Sequence, residues 1–97
     1  MKHPLDQLES LPGWELVGPG LRDLRAGRIS KEAILVLIAS PRLRHQGFEI
    51  QIPDGVQKPY EHALYSMLEE ERGDGAYSYY NSLLRRLVSF ENAIESR

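Results

Sequence analysis

The fold is decided by residues 59–95, which read PYEHALYSMLEEERGDGAYSYYNSLLRRLVSFENAIE. Apolar residues recur there at every third or fourth position, which is the period of an amphipathic helix. A glycine-containing run at 73–75 interrupts the pattern, and Pro59 stands where a helix can begin. Because only three residues separate the two helical patterns, we predict an antiparallel hairpin of helices 59–72 and 76–95.

The second helix of this hairpin has a wider apolar surface than the first. The face of the first helix consists of Tyr60, Leu64, Met67 and Leu68. The predicted core stripe of the second consists of Tyr77, Tyr80, Leu84, Leu87 and Ile94, widened by Leu83, Val88 and Phe90. One neighbouring helix covers only part of such a width. Unless the short N-terminal segments cover the rest, we expect a homodimer through this helix, with Phe90 and Tyr79 as candidate contacts.

Proline and glycine divide the N-terminal part of the chain. Three leucines spaced three residues apart predict a short helix over 5–11. The Gly-Pro-Gly run at 18–20 predicts a turn. A second short helix is predicted over 19–26, with Gly27 at the position of a left-handed C-cap.

The central segment 31–39 is almost wholly apolar and fits a buried helix or a buried strand. Ser30 is a good N-cap and Glu32 favours the positive end of a helix, so we predict a helix. Residues 41–46 predict another short helix, opened by a proline. Residues 48–52 alternate between apolar and polar side chains, as in a strand.

Together these elements predict an all-α fold, a compact bundle of four to five helices with the C-terminal hairpin. The whole chain, 1–97, is predicted to form a single small globular domain. The alternative is an α+β fold in which 34–38 and 48–52 pair as a small two-stranded element.

The composition is that of an ordinary folded domain. Of the 97 residues, 41% are hydrophobic and 27% are charged, and the formal net charge is -2. The absence of cysteine excludes disulfides and thiolate-bound metals. The longest apolar run, Ala33 to Ala39, is far shorter than the roughly 20 residues of a membrane helix. No signal peptide is recognisable at the N-terminus. We therefore expect a cytoplasmic protein that does not bind membranes.

The polar residues predict no catalytic, cofactor-binding or metal site. The histidines lie in three different segments: His3, His45 and His62. His62 and Ser66 are one helical turn apart, but a regular helix provides neither a sharply exposed nucleophile nor oxyanion donors. The Gly-Pro-Gly run lacks the third glycine and the lysine of phosphate-binding loops. The acidic run at 69–71 is predicted to be solvated surface. We expect that the protein is not an enzyme.

Positive charge is concentrated in the first half of the chain. Between residues 20 and 48 the sequence has six bases and two acids, a local balance of +4. The six bases are Arg22, Arg25, Arg28, Lys31, Arg42 and Arg44. They are the candidate contacts for an anion or a nucleic acid. The acidic pI of 5.9 and the apolar character of 31–39 speak against a dedicated DNA-binding helix.

The sequence therefore favours a non-catalytic protein-interaction or regulatory module with an unidentified protein partner. Tyr65 and Tyr79 lie off the apolar stripes and are candidate interface residues, together with Phe90. A small nucleic-acid-associated regulator that uses the basic 20–48 segment is the alternative.

Overall fold

The computed structural model describes residues 8–96, and every regular element in that range is helical. We number the helices α1 (Trp14–Arg25), α2 (Lys31–Ile38), α3 (Ser40–His45), α4 (Tyr60–Arg72) and α5 (Ala76–Glu95), with a 3-10 turn at Gly73–Gly75. The all-α prediction is confirmed. The α+β alternative is wrong, because neither 34–38 nor 48–52 forms a strand. Of the helix predicted over 5–11, residues 5–7 lie outside the described residues, and residues 9–11 form turns and a bend instead of a helix.

The two long C-terminal helices have the predicted bounds to within a residue. The predicted interruption at 73–75 is a single 3-10 turn. Helices α4 and α5 pack against each other, and the rings of Tyr65 and Tyr80 meet edge to face with centroids 5.4 Å apart. The amphipathic period therefore located both helices and their connection.

The turn predicted at 18–20 is wrong, because α1 runs straight through it. A proline inside a helix costs about 3 kcal/mol, so this segment does not form a helix on propensity alone. Both glycines allow close packing instead. A Cβ at Gly18 would lie 2.8 Å from the Trp14 ring, and a Cβ at Gly20 would meet the Glu32 carbonyl oxygen of α2.

The ambiguous central segment forms α2, as its capping residues predict. The Ser30 hydroxyl accepts a hydrogen bond from the backbone N–H of Ala33 at 3.0 Å. It also donates one to a carboxylate oxygen of Asp23 at 2.6 Å, which links the start of α2 to α1. Because Ala33 to Leu37 are all buried, α2 is the central helix of the core.

The buried face of α5 differs from the predicted stripe. Its fully or nearly fully buried apolar members are Ala76, Leu83, Leu87, Phe90 and Ile94. Tyr77, which we expected in the core, is 66% exposed. The widening residues Leu83 and Phe90 are thus central, because α1 covers that side of α5: the Phe90 and Trp14 rings lie 6.1 Å apart.

Gly13, the N-cap of α1, allows this approach. Its φ of 85° is in the left-handed region that favours glycine. A Cβ here would lie 2.5 Å from the carbonyl oxygen of Arg86 and 2.8 Å from the Cβ of Phe90. The start of α1 therefore lies directly on the α5 backbone.

Candidate interaction surface

A second stripe, apolar except for one asparagine, runs along α5 on a side that the domain leaves open. We call it the α5 stripe; it consists of Tyr77, Asn81, Leu84 and Val88. Tyr77 is 66% and Val88 45% exposed, while Asn81 and Leu84 are half-buried. The spacing of four, three and four residues places all four side chains on one face. A shallow depression of about 690 Å³ lies over the stripe and is bordered by Ser78, Arg85 and Ser89.

The two edges of the α5 stripe differ in charge. Arg85 is exposed on one edge and forms no ion pair or hydrogen bond within residues 8–96. On the other edge lies the half-buried Tyr80. Burial raises the pKa of the Tyr80 hydroxyl, and the negative charge of Glu61 raises it further. The stripe therefore has the unpaired cation Arg85 along one edge and Tyr80, which is close to the negative charge of Glu61, along the other.

The predicted interface residues are not on this surface. Phe90 is fully buried, so its assignment as an exposed contact is wrong. Tyr79 is covered by cations of its own chain: the Arg72 guanidinium carbon lies 3.7 Å and the Lys31 ammonium 5.3 Å from its ring centroid. Tyr65 packs on Tyr80. These tyrosines act as packing residues within the domain.

Four of the six bases in the 20–48 segment have partners within the domain. Arg28 forms an ion pair with Asp23 at 3.2 Å, and Lys31 forms one with Glu71 at 3.1 Å. The Arg44 guanidinium donates to the Ile50 carbonyl oxygen at 2.5 Å. The contacts of these three bases are therefore made within the domain, and that of Lys31 links α2 to α4.

The fourth, Arg42, links α3 to the end of α5. It contacts the carboxylates of Glu91 at 3.0 Å and Glu95 at 2.5 Å. Glu91 is only 5% exposed, and burial raises its pKa although Arg42 opposes the effect. The hydrogen bond from Arg42 lowers the pKa of Glu95.

Arg22 and Arg25 form no ion pair within the described range. Because the partner of Arg44 is a neutral carbonyl, three of the six bases have an acidic partner within residues 8–96, and Arg22, Arg25 and Arg44 have none.

The remaining polar candidates do not come together as a reactive centre. His62 and Ser66 both line a groove of about 430 Å³ beside Ile29 and Met67, and no hydrogen bond joins them. The Gly-Pro-Gly run is inside α1, so it is not an anion-binding loop. No three potential metal ligands cluster among residues 8–96. His3 lies outside that range.

The sequence contained a signal for the α5 stripe that our prediction misassigned. Tyr77, Leu84 and Val88 have helical spacing, and we assigned the first two to the core and the third to its margin. Helical period identifies apolar faces but not which of two adjacent faces the rest of the domain covers.

Comparison of the chain with protein-family models, with curated proteins and with solved structures yields no match. Between residues 8 and 96, none of the helices combines the length and apolarity needed to cross a bilayer.

Proposed function

We propose that the protein is a cytoplasmic, non-catalytic protein-interaction or regulatory module that binds its partner through the α5 stripe. The observation that carries the proposal is the exposure of Tyr77 and Val88 on a helix whose adjacent face already contributes to the core. Leu84 packs partly against the core, but Tyr77 and Val88 remain exposed beside it, and exposed apolar side chains grouped on one face support a surface for another protein.

The form of the stripe favours a helical partner. From Tyr77 to Val88 it extends about 16 Å along the helix axis, at about 1.5 Å per residue. A straight apolar line of this kind matches the anchors by which one helix packs along another. Each Val or Leu side chain that becomes fully buried contributes about 1.5–3 kcal/mol before the costs of association.

Affinity capture with matched variants tests this function. The bait proteins are the wild type, Val88→Asp and Ile52→Asp. Ile52 is 43% exposed and lies outside helices, so it matches Val88 in exposure but not in place. We expect a partner, a second copy of the chain included, to be retained by the wild type and Ile52→Asp and lost by Val88→Asp. Identical recovery on all three baits would refute the proposal.

A further inference from the structure

We infer that the α5 stripe binds a second copy of this chain, with the two α5 helices parallel and in register. The inference rests on the proposed function, because it uses the same surface, and it names the partner. Each residue of the stripe then meets its own counterpart across a two-fold axis parallel to the helices.

The order of residues in the stripe is that of a two-stranded coiled coil. Spacings of four, three and four assign Tyr77 and Leu84 to d positions and Asn81 and Val88 to a positions of a heptad repeat. In parallel coiled coils, a β-branched residue at an a position and leucine at a d position favour a dimer over a trimer or a tetramer. The stripe thus has the pattern of a dimer seam that is about one helical turn longer than a single heptad.

Asn81 decides the orientation. Its side chain forms no hydrogen bond with the described residues. A carboxamide has both donors and acceptors, so two Asn81 side chains facing each other satisfy one another. In an antiparallel pair, a positions face d positions, and Asn81 would lie against Leu84 of the partner subunit with its amide unsatisfied. Leaving a buried amide unpaired is costly, so the parallel arrangement is favoured.

The edges of the stripe are complementary in the same arrangement. In a parallel seam with Asn81 at a, Tyr80 is a g position and Arg85 is the e position five residues later. Such g and e positions lie opposite each other across the seam. The unpaired Arg85 of one copy therefore lies beside Tyr80 of the other, in the field of Glu61. A cation over a tyrosine ring and near a carboxylate is stabilising.

The length of the seam sets the strength of the dimer. A contact of three helical turns falls at the small end of specific interfaces. We therefore expect a weak dimer that dissociates on dilution.

Sedimentation equilibrium over a wide concentration range tests the dimer. The wild type should rise from 11.1 kDa on dilution toward twice that mass as concentration increases. Val88→Asp should stay at the mass of one chain with an unchanged far-UV spectrum, while Ile52→Asp should follow the wild type. A wild type that remains at 11.1 kDa up to millimolar concentration overturns the inference. If stripe-dependent capture of a different protein persists in that case, the proposed function stands without the dimer.

Disulfide trapping tests the parallel register. The chain has no cysteine, so a single introduced cysteine reports on one contact. Asn81→Cys should cross-link rapidly under mild oxidation, since identical a positions bring the two Cα atoms within bonding range. Ser89 borders the depression but lies at a b position outside the seam, so Ser89→Cys is the control and should cross-link at least ten-fold more slowly. Equal rates for the two variants in a protein that sediments as a dimer overturn the parallel register.

Discussion

The helix pair α1–α2 and the helix pair α4–α5 are held together in different ways. The backbones of α1 and α2 approach so closely that a Cβ at Gly20 would clash with the Glu32 carbonyl oxygen. Between α4 and α5, side chains fill the space, as in the edge-to-face contact of Tyr65 and Tyr80. The packing of α1 on α2 depends on the absence of a side chain at Gly20, whereas the packing of α4 on α5 depends on large side chains that fill the space between the helices.

This difference explains why the two pairs were not equally predictable. A periodic row of large apolar side chains is visible in a sequence and predicts a packed helix. A glycine can allow close approach of a neighbouring backbone or can end a helix, and both properties come from the absence of a Cβ. The sequence therefore does not show which role a given glycine has.

The largest effect should come from removing a side chain at the α5 core. Phe90→Ala leaves a cavity beside Trp14, and we expect the free energy of unfolding to fall by about 3–5 kcal/mol. Val88→Ala on the same helix should change it by no more than about 0.5 kcal/mol in dilute, monomeric protein. Urea denaturation measures both. Similar losses for the two variants would contradict the assignment of faces on α5.

Adding a single carbon tests the α1–α2 pair. Gly20→Ala places a methyl group against the backbone of α2, and we expect a loss of about 1–3 kcal/mol in unfolding free energy. Although the Val36 side chain is also close, the nearest atom is the Glu32 carbonyl oxygen of the backbone, so a side-chain rotation cannot relieve the contact. Gly75→Ala is the control, since nothing lies within 4 Å of its Cβ position. A Gly20→Ala protein as stable as the Gly75→Ala protein would end the comparison drawn above.

A smaller loss is expected at the cap that joins α1 to α2. Ser30→Ala removes the N-cap of α2 and should cost about 0.5–2 kcal/mol of unfolding free energy. The Ser30 hydroxyl is also the main cause of the lowered pKa of Asp23. A lowered carboxyl pKa stabilises the fold at neutral pH, and that stabilisation is lost as pH falls below about 4.

The deficit of Ser30→Ala should therefore be largest at neutral pH and shrink in acid. Ser30→Thr keeps the hydroxyl and serves as the control, with stability close to that of the wild type. Thermal unfolding from pH 3 to 7 measures the trend. A deficit that does not change with pH would show that the bond to Asp23 contributes nothing.

The smallest effect concerns the ionic link from α3 to α5. The pKa of Glu91 is raised by burial, so its ionisation destabilises the fold as pH rises above about 4.3. Relative to the wild type, Glu91→Gln should gain stability as pH rises through this range. Glu95→Gln should lose stability relative to the wild type at lower pH, as pH rises toward about 4.3, because the pKa of Glu95 is lowered. Because the two variants should change in stability in opposite directions as pH rises, each is a control for the other. If the unfolding free energies of both variants changed with pH in the same direction, the burial of Glu91 would be contradicted.

The sequence predicted that the last helix has an apolar surface for a partner, but it did not predict which residues form that surface. Excess apolar width on the last helix was visible in the sequence, and with it the expectation of a partner. The sequence did not distinguish Phe90, which α1 covers, from Val88, which it does not, because both have helical spacing from other apolar residues. Likewise, the count of bases in 20–48 did not show that Arg42 and Lys31 have acidic partners 40 or more residues away.

The sequence by itself determined the helical class, the bounds of α4 and α5, the three-residue connection between them and the cap of α2. Each of these depends on residues within a few positions of one another, through helical period or capping bonds. Only the tertiary structure decided that 18–20 is helical and that Tyr77 and Val88 lie outside the core. Those outcomes depend on contacts between distant segments, such as Gly20 with Glu32 and Gly13 with Phe90, and the energy of such contacts is absent from any local pattern.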